Sequence, residues 1–163
     1  MSLTTIYVNW NEAKIKLTWK KSKHLPQNFR ITSVHGLCFY NKQLLLVDVK
    51  HRGGDLPGGH IEKNETPEDC LTREVFEESY VEGDSELLGY IIVDHSENQL
   101  WNTNGCYPKI GIQAFYKKNI KFLHPFEAKY ESHQRMLINP IDVSLYHHEW
   151  NHLYQEILGF ATQ

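Results

Sequence analysis

A short stretch, Gly59 to Val81, constrains this chain more than any other, because it places three neighbouring glutamates on one predicted helix. Glu74, Glu77 and Glu78 follow an i, i+3, i+4 spacing, which sets their Cβ atoms about 5–6 Å apart. Carboxylates that close repel one another and destabilise a bare helix. A hard divalent cation such as Mg²⁺ reverses the effect, because it binds carboxylate oxygens. The cluster is therefore either a solvated helix face or a metal site, and the surrounding residues have to decide between the two.

The helix that carries the glutamates has a well-marked beginning. Thr66 suits an N-cap and Pro67 suits the first turn. Leu71 and Val75 form an apolar stripe beside the glutamates, so one side of the helix is expected to pack on a sheet while the neighbouring side faces a cleft. The helix is predicted to end at residue 79 or 80.

A glycine-rich turn, Leu56-Pro57-Gly58-Gly59, precedes this helix by one short loop. Proline restricts φ, and the two glycines permit backbone conformations and close approaches that other residues cannot make. We therefore expect the turn to bring backbone carbonyls near the acidic face.

Composition narrows the class of protein. The 163 residues suit one domain spanning 1–163, with 40% apolar and 23% charged residues, as in an ordinary globular protein. A net charge of −3 gives no basic field for a nucleic-acid polymer. The three scattered cysteines include no CxxC pair, which disfavours a disulfide framework and a cysteine zinc site. No apolar run approaches the roughly 20 residues of a membrane span, and the N-terminus lacks a signal-peptide pattern. A reducing, cytoplasmic setting is expected.

The hydrophobic pattern predicts an α/β sandwich built on a mixed sheet. Alternation and turn residues predict a hairpin over 4–20 and further strands, while helical spacing of apolar residues predicts a terminal helix. The predicted strands after the hairpin are 31–40, 44–50, 86–94, 107–117 and 135–138, the predicted loops include 51–55 and 118–134, and the terminal helix covers Leu145 to Leu158.

The central stretch resembles the Nudix box, G-x5-E-x7-R-E-U-x-E-E-x-G-U, where U is a bulky aliphatic residue. Gly59 is followed after five residues by Glu65, and after seven more by Arg73-Glu74-Val75-Phe76-Glu77-Glu78. One position departs from the pattern: Tyr80 stands where the box has its second glycine. Because tyrosine enters the left-handed region only with strain, an alternative is that the helix runs on toward Gly83.

The resemblance implies a Nudix-type α/β/α sandwich, with the mixed sheet between the box helix and the C-terminal helix. It also implies a hydrolase that uses Mg²⁺ or Mn²⁺ to cleave a nucleoside diphosphate linked to another moiety. By position, the metal ligands are Glu74, Glu77, Glu78 and the Gly59 carbonyl. Arg73 and Glu65 match the residues that orient the acidic side chains.

The general base and the substrate contacts stay open at this point. The base is Glu74 in the box, or Glu127 or Glu131 in a later loop. Arg52, with Gly58 and Gly59, is a candidate contact to the substrate phosphates. Aromatic residues that could stack on a base are Tyr40, Trp101 and Phe115. The expected partner is a small-molecule nucleotide. Family members are often dimers, and the N-terminal hairpin offers an edge for pairing.

Two other functions fit parts of the chain. His148-Glu149-Trp150-Asn151-His152 matches HExxH, in which two histidines one helical turn apart bind zinc. Both histidines lie opposite the apolar stripe of the predicted helix, so they are expected to face solvent. The second alternative is a Nudix-like nucleotide-binding or regulatory module without catalysis, which would be marked by loss of a metal carboxylate. All three carboxylates are present.

Overall fold

One mixed sheet forms the frame of the molecule. The computed structural model describes residues 3–49, 53–130 and 132–163. The strands are β1 (Thr4–Trp10), β2 (Ala13–Lys21), β3 (Arg30–Tyr40), β4 (Gln43–Val49), β5 (Gly53–Asp55), β6 (Gly58–His60), β7 (Val81–Asp94), β8 (Ile110–Leu123) and β9 (Ser132–Ile138). Their order is β1-β2-β7-β8-β3-β4-β5, with β6 paired to β3 and β9 to β4. Strands β3 and β8 are parallel and the other pairs antiparallel, so the predicted mixed sheet is confirmed.

Helices cover the two faces of this sheet. Helix α1 (Pro67–Ser79) packs on one face and helix α3 (His152–Ala161) on the other, while the single turn α2 (Val143–Tyr146) joins the second side. Strand β4 shows why the core has two halves. Leu45 belongs to the cluster under α1, and its neighbours Leu44 and Leu46 belong to the cluster under α3, as expected for a strand buried on both faces. The predicted α/β/α sandwich is confirmed.

Several strand limits differ from the sequence prediction. The hairpin over 4–20 is confirmed, and Asn11 takes a positive φ of 58° in its turn. Residues 53–55 were expected in a loop but form β5, because they pair with β4. Strand β8 runs on to Leu123 and β9 begins at Ser132, so most of the loop predicted over 118–134 is sheet. Long antiparallel partners extend strands beyond the apolar alternation that marks them in sequence.

The predicted C-terminal helix over Leu145 to Leu158 is wrong in its first half. Only α2 and α3 are helical, and residues 147–151 separate them. Asn151 caps α3, accepting a hydrogen bond from the Tyr154 N–H at 3.1 Å. His148 therefore lies outside the helix that begins at His152, which removes the one-turn geometry that an HExxH zinc site needs. Both histidines are exposed, as expected.

Helix α1 ends at Ser79, as predicted, and it does so without a glycine; the alternative, a helix that runs on toward Gly83, is wrong. Tyr80 itself takes the left-handed conformation, with φ 58° and ψ 37°, and its N–H donates to the Phe76 carbonyl at 2.8 Å. The ring is 4% exposed and packs against Phe76, Phe126 and Tyr130 at centroid distances of 5.6, 5.2 and 6.1 Å. Burial of the ring offsets the backbone strain, which is about 1–2 kcal/mol for a left-handed non-glycine residue.

None of the helices in the described part of the chain is long and apolar enough to span a membrane.

Candidate active site

Strand β6 brings the two glycines against the acidic face of α1. The Gly58 N–H donates to Glu78 Oε1 at 2.7 Å, and Glu78 is only 8% exposed. Gly58 also lies directly over the Val34 carbonyl of β3, where an added Cβ would overlap the backbone. Gly58 and Gly59, predicted to form a turn, therefore belong to the short strand β6, which holds Glu78 in place.

Gly59 makes room for a second glutamate. A Cβ built on Gly59 would lie 2.7 Å from both carboxylate oxygens of Glu74, closer than carbon and oxygen can pack without a shift. The Glu74 carboxylate thus lies directly against the Gly59 backbone. The predicted proximity of the glycines and the acidic face is confirmed, and its physical basis is the missing side chain at position 59.

Arg73 lies at the centre of the charged groups. It donates to both oxygens of Glu65, from Nε at 2.7 Å and from Nη2 at 3.0 Å. Its Nη1 donates to Glu74 at 2.8 Å and, more weakly, to Glu77 at 3.5 Å. The bidentate pair with Glu65 is the geometry in which arginine binds carboxylate most tightly. Arg73 is thereby fixed as a bridge between the loop before α1 and its acidic face.

Hydrogen bonds dominate the protonation equilibria of this pair. The bonds from Arg73, with a further one from the Glu62 N–H, lower the pKa of Glu65 from its ordinary value of 4.5 to about 2. The same bonds to Glu65 raise the pKa of Arg73. Both side chains are therefore ionised at neutral pH.

The donor set suits a hard divalent cation. Four carboxylates, those of Glu62, Glu65, Glu74 and Glu77, lie within 4 Å of one guanidinium, which leaves a surplus of negative charge. In residues 3–49, 53–130 and 132–163, however, no three histidine, cysteine or acidic side chains already converge as metal ligands would. The glutamates turn instead to Arg73 and the Gly58 N–H. Carboxylate oxygens next to a backbone carbonyl are the ligand type that Mg²⁺ prefers, so the residues fit this ion.

The loop between β8 and β9 contains a weaker candidate for the general base, Glu127. Glu127 is exposed and pairs with Lys129 at 3.2 Å, as a solvated ion pair would. Its loop is held by Tyr80, whose hydroxyl accepts the Lys129 N–H at 3.0 Å and whose carbonyl accepts the His124 N–H at 2.9 Å. Glu131 and Arg52, the other candidates from the sequence, lie outside the described residues.

Aromatic residues next to the glycines were not found by sequence reasoning. Of the three stacking candidates, Phe115 is 1% exposed and belongs to the core, and the Trp101 indole donates to the Tyr107 carbonyl at 3.0 Å. A cavity of about 110 Å³ instead lies beside His60, the residue after Gly59. Its lining comes from five strands and from the long β7–β8 connection, and no local sequence pattern links segments so far apart.

Family comparison agrees with this geometry. The NUDIX domain family matches residues 30–133, which include the whole of β3, the glycines, α1, β7 and β8. The chain belongs to the Nudix family. Among curated proteins, none matches it in sequence.

Solved structures share the fold at low sequence identity. The pyrophosphohydrolase BsRppH of Bacillus subtilis superposes with a TM-score of 0.73 at 19% identity, over 99% of this chain and 96% of that one. The NUDIX domain of Shewanella oneidensis NrtR, solved with ADP-ribose, gives 0.61 at 18% identity, over 86% and 94%. The MutT protein of Methanosarcina mazei gives 0.57 at 16% identity, over 83% and 96%. These likenesses show that the chain has the fold of the Nudix family, in agreement with the family match.

Proposed function

We propose that this protein is a Mg²⁺-dependent hydrolase that cleaves the pyrophosphate linkage of a small nucleoside di- or triphosphate derivative. The observation that carries the proposal is the pair of close contacts between strand β6 and helix α1. Glu78 accepts the Gly58 N–H, and Glu74 lies against the Gly59 backbone. A solvated acidic face would have no need of two glycines that fit its carboxylates so closely.

Glu74, Glu77, Glu78 and the Gly59 carbonyl are the groups that would hold the cation. Bound Mg²⁺ supplies charge neutralisation at the pyrophosphate oxygens. Arg73 keeps Glu74 in place through its 2.8 Å bond, and Glu65 keeps Arg73 in place through its bidentate pair. The contribution of these residues is mainly positioning, because a fixed carboxylate array needs no reorganisation during the reaction.

Glu74 is our candidate for the proton acceptor. In the reaction, water attacks phosphorus, the bridging P–O bond of the anhydride breaks, and the water proton passes to the Glu74 carboxylate. Glu127 fits this role less well, because it is exposed and its one contact among the described residues is with Lys129, not with the acidic face of α1. Arg52 and Gly58 remain our candidates for contact with the substrate phosphates. We expect Mn²⁺ to support the reaction in place of Mg²⁺.

The test is hydrolysis of a nucleotide panel with Mg²⁺, read as released phosphate or pyrophosphate. The panel contains nucleoside triphosphates, dinucleoside polyphosphates and nucleotide sugars. Glu77→Gln and Glu78→Gln are expected to lower turnover by about 10²-fold or more, the range found when a catalytic group is lost. Glu156→Gln, an exposed glutamate on α3, is the control and should leave turnover unchanged.

Cation binding is measured separately from turnover. Calorimetric titration of the wild-type chain with Mg²⁺ should show a site that Glu77→Gln and Glu78→Gln weaken while circular dichroism confirms the fold. Failure to hydrolyse any member of the panel would reject the enzymatic proposal. Wild-type turnover in either variant would reject the ligand assignment.

A further inference from the structure

The cavity beside His60 is uncharged, unlike the acidic site it adjoins. None of its lining residues is an aspartate, glutamate, lysine or arginine. The lining therefore has no lysine or arginine, the charged side chains that bind a phosphate group most tightly. It suits a neutral part of a ligand better than a phosphate group.

Aromatic rings make up much of the wall. The rings of His95 and Tyr107 are close to parallel, at 18° with centroids 6.4 Å apart. Trp10 meets His95 edge-on at 6.1 Å, and His60 lies 6.1 Å from Tyr107. Trp10 and Tyr107 are 40% and 49% exposed, so a ligand can still cover part of their surface. Such rings favour a flat, apolar-faced partner.

Polar side chains of the sheet can form hydrogen bonds with a ligand in the cavity. Gln113 of β8 lines the cavity, and among the described residues its carboxamide has no hydrogen-bond partner. One carboxamide offers both a donor and an acceptor, which matches the edge of a nucleobase. Ser33 lies next to it in the parallel β3–β8 register, and its hydroxyl is already bonded to His35 Nε2 at 2.9 Å. Gln113 is therefore the residue best suited to read a base.

Position and size agree with this chemistry. His60 belongs to β6 and follows Gly59 directly, so the cavity begins one residue from the proposed cation site. Its volume of about 110 Å³ is somewhat below the roughly 150 Å³ of a protein cavity known to accept benzene. The enclosed volume therefore approaches that of one heterocyclic ring, and the partly exposed Trp10 and Tyr107 add open surface beside it. Any further ring would extend between the exposed Trp10 and Tyr107.

We propose that this cavity binds the heterocyclic base of the nucleotide substrate, with Tyr107 and Trp10 covering its face and Gln113 bonding its edge. The assignment rests on the proposed function, since it supplies the part of the substrate that the acidic site does not bind. It makes the enzyme selective for nucleotides over phosphate compounds that lack a base.

Binding of nucleosides without phosphate tests the proposal independently of catalysis. Adenosine, guanosine, cytidine and uridine are titrated into the full chain without Mg²⁺, and tryptophan fluorescence is followed alongside calorimetry. At least one nucleoside should bind saturably and change the fluorescence, and Trp10→Phe should remove most of that change. Tyr107→Ala and Gln113→Ala should each weaken binding by about tenfold, within the range for loss of one stacked or bonded base contact.

Matched control variants distinguish loss of base binding from a general loss of structure. Phe122→Ala removes an exposed aromatic from the far end of β8 and should leave nucleoside affinity unchanged. Glu77→Gln should retain nucleoside binding, because the cavity does not include the acidic face. In hydrolysis assays, Tyr107→Ala and Gln113→Ala should raise KM for the nucleotide while rates on inorganic tripolyphosphate stay unchanged.

The outcomes distinguish the two proposals. Turnover of nucleotides without any nucleoside binding, or with Tyr107→Ala and Gln113→Ala indistinguishable from wild type, overturns the base site and leaves the hydrolase intact. Nucleoside binding that these variants weaken supports the base site even where no nucleotide is hydrolysed, and in that case only the proposed reaction fails.

Discussion

Single residues decide the geometry of the acidic site, and Gly59, which has no side chain, is the clearest case. Glu74 occupies the space in which a Cβ would stand. We predict that Gly59→Ala displaces the Glu74 carboxylate and lowers kcat by about 10²-fold, as for other losses of a positioned catalytic group. Thermal unfolding should change little, because the displaced atoms are the flexible end of a side chain. Steady-state kinetics and calorimetry measure the two effects.

Gly159→Ala is the control for that substitution. Gly159 lies on α3 with open space around its Cα, so an added methyl group should leave kcat unchanged and stabilise the helix by about 0.5–1 kcal/mol. Wild-type kcat in Gly59→Ala would show that Glu74 does not depend on this contact.

The contribution of Glu65 to folding stability depends on pH. Its pKa lies at about 2 in the folded chain, mainly through hydrogen bonds from Arg73, and near 4.5 when unfolded. A carboxyl group with a lowered folded-state pKa stabilises the fold fully above its unfolded value and loses that contribution as pH falls toward the folded value. We therefore predict that wild type is more stable than Glu65→Gln at pH 7 and that the difference shrinks between pH 5 and pH 2. Thermal midpoints across this range test it, and a constant difference would contradict it.

At the scale of elements, the end of α1 depends on packing instead of backbone preference. Tyr80→Gly relieves about 1–2 kcal/mol of backbone strain. Loss of a buried aromatic ring costs about 3–5 kcal/mol. We predict a net destabilisation of about 1–4 kcal/mol, measured by urea unfolding. Tyr80→Phe should lose only about 1 kcal/mol, the contribution of its bond with the Lys129 N–H.

Asn64→Gly provides the comparison. Asn64 also has a positive φ, of 66°, but it is exposed and asparagine tolerates this region well. Asn64→Gly should change the free energy of unfolding by less than about 0.5 kcal/mol. If Tyr80→Gly were as mild, the ring contacts would not be what holds the left-handed turn.

At the scale of the whole molecule, α3 closes the second face of the sheet. Leu153 is fully buried there, whereas Leu145, the first residue of the predicted helix, is 74% exposed on α2. We predict that Leu153→Ala lowers the free energy of unfolding by about 2–5 kcal/mol, while Leu145→Ala changes it by less than about 0.5 kcal/mol. Urea unfolding of the two variants is the measurement, and equal effects would mean that the helical break is not present in solution.

A buried contact ties this end of the chain to the glycine-rich segment. His147 Nε2 lies 3.0 Å from Asp55 Oδ1, and His147 is 6% exposed. Burial raises the pKa of Asp55, but the hydrogen bond and charge of His147 outweigh it, and the net pKa is below its usual range. His147, which lies where the predicted helix is interrupted, thus anchors this end of the chain beside β5. Its partner Asp55 lies three residues before Gly58, which donates to Glu78.

The sequence alone determined the parts of this protein that depend on local order. The N-cap at Thr66, the apolar stripe of Leu71 and Val75, and the spacing of the glutamates all follow from helical periodicity, and each is confirmed. The Nudix spacing identified the family for the same reason, because its residues lie within one turn and one helix. Only tertiary structure decided the rest. The left-handed Tyr80, the break before α3 and the cavity at His60 depend on residues far apart in the chain, whose packing and pairing energies outweigh local preference. The acidic stretch from Gly59 to Val81 could therefore be interpreted from its own residues, whereas the surface proposed to select its substrate could not.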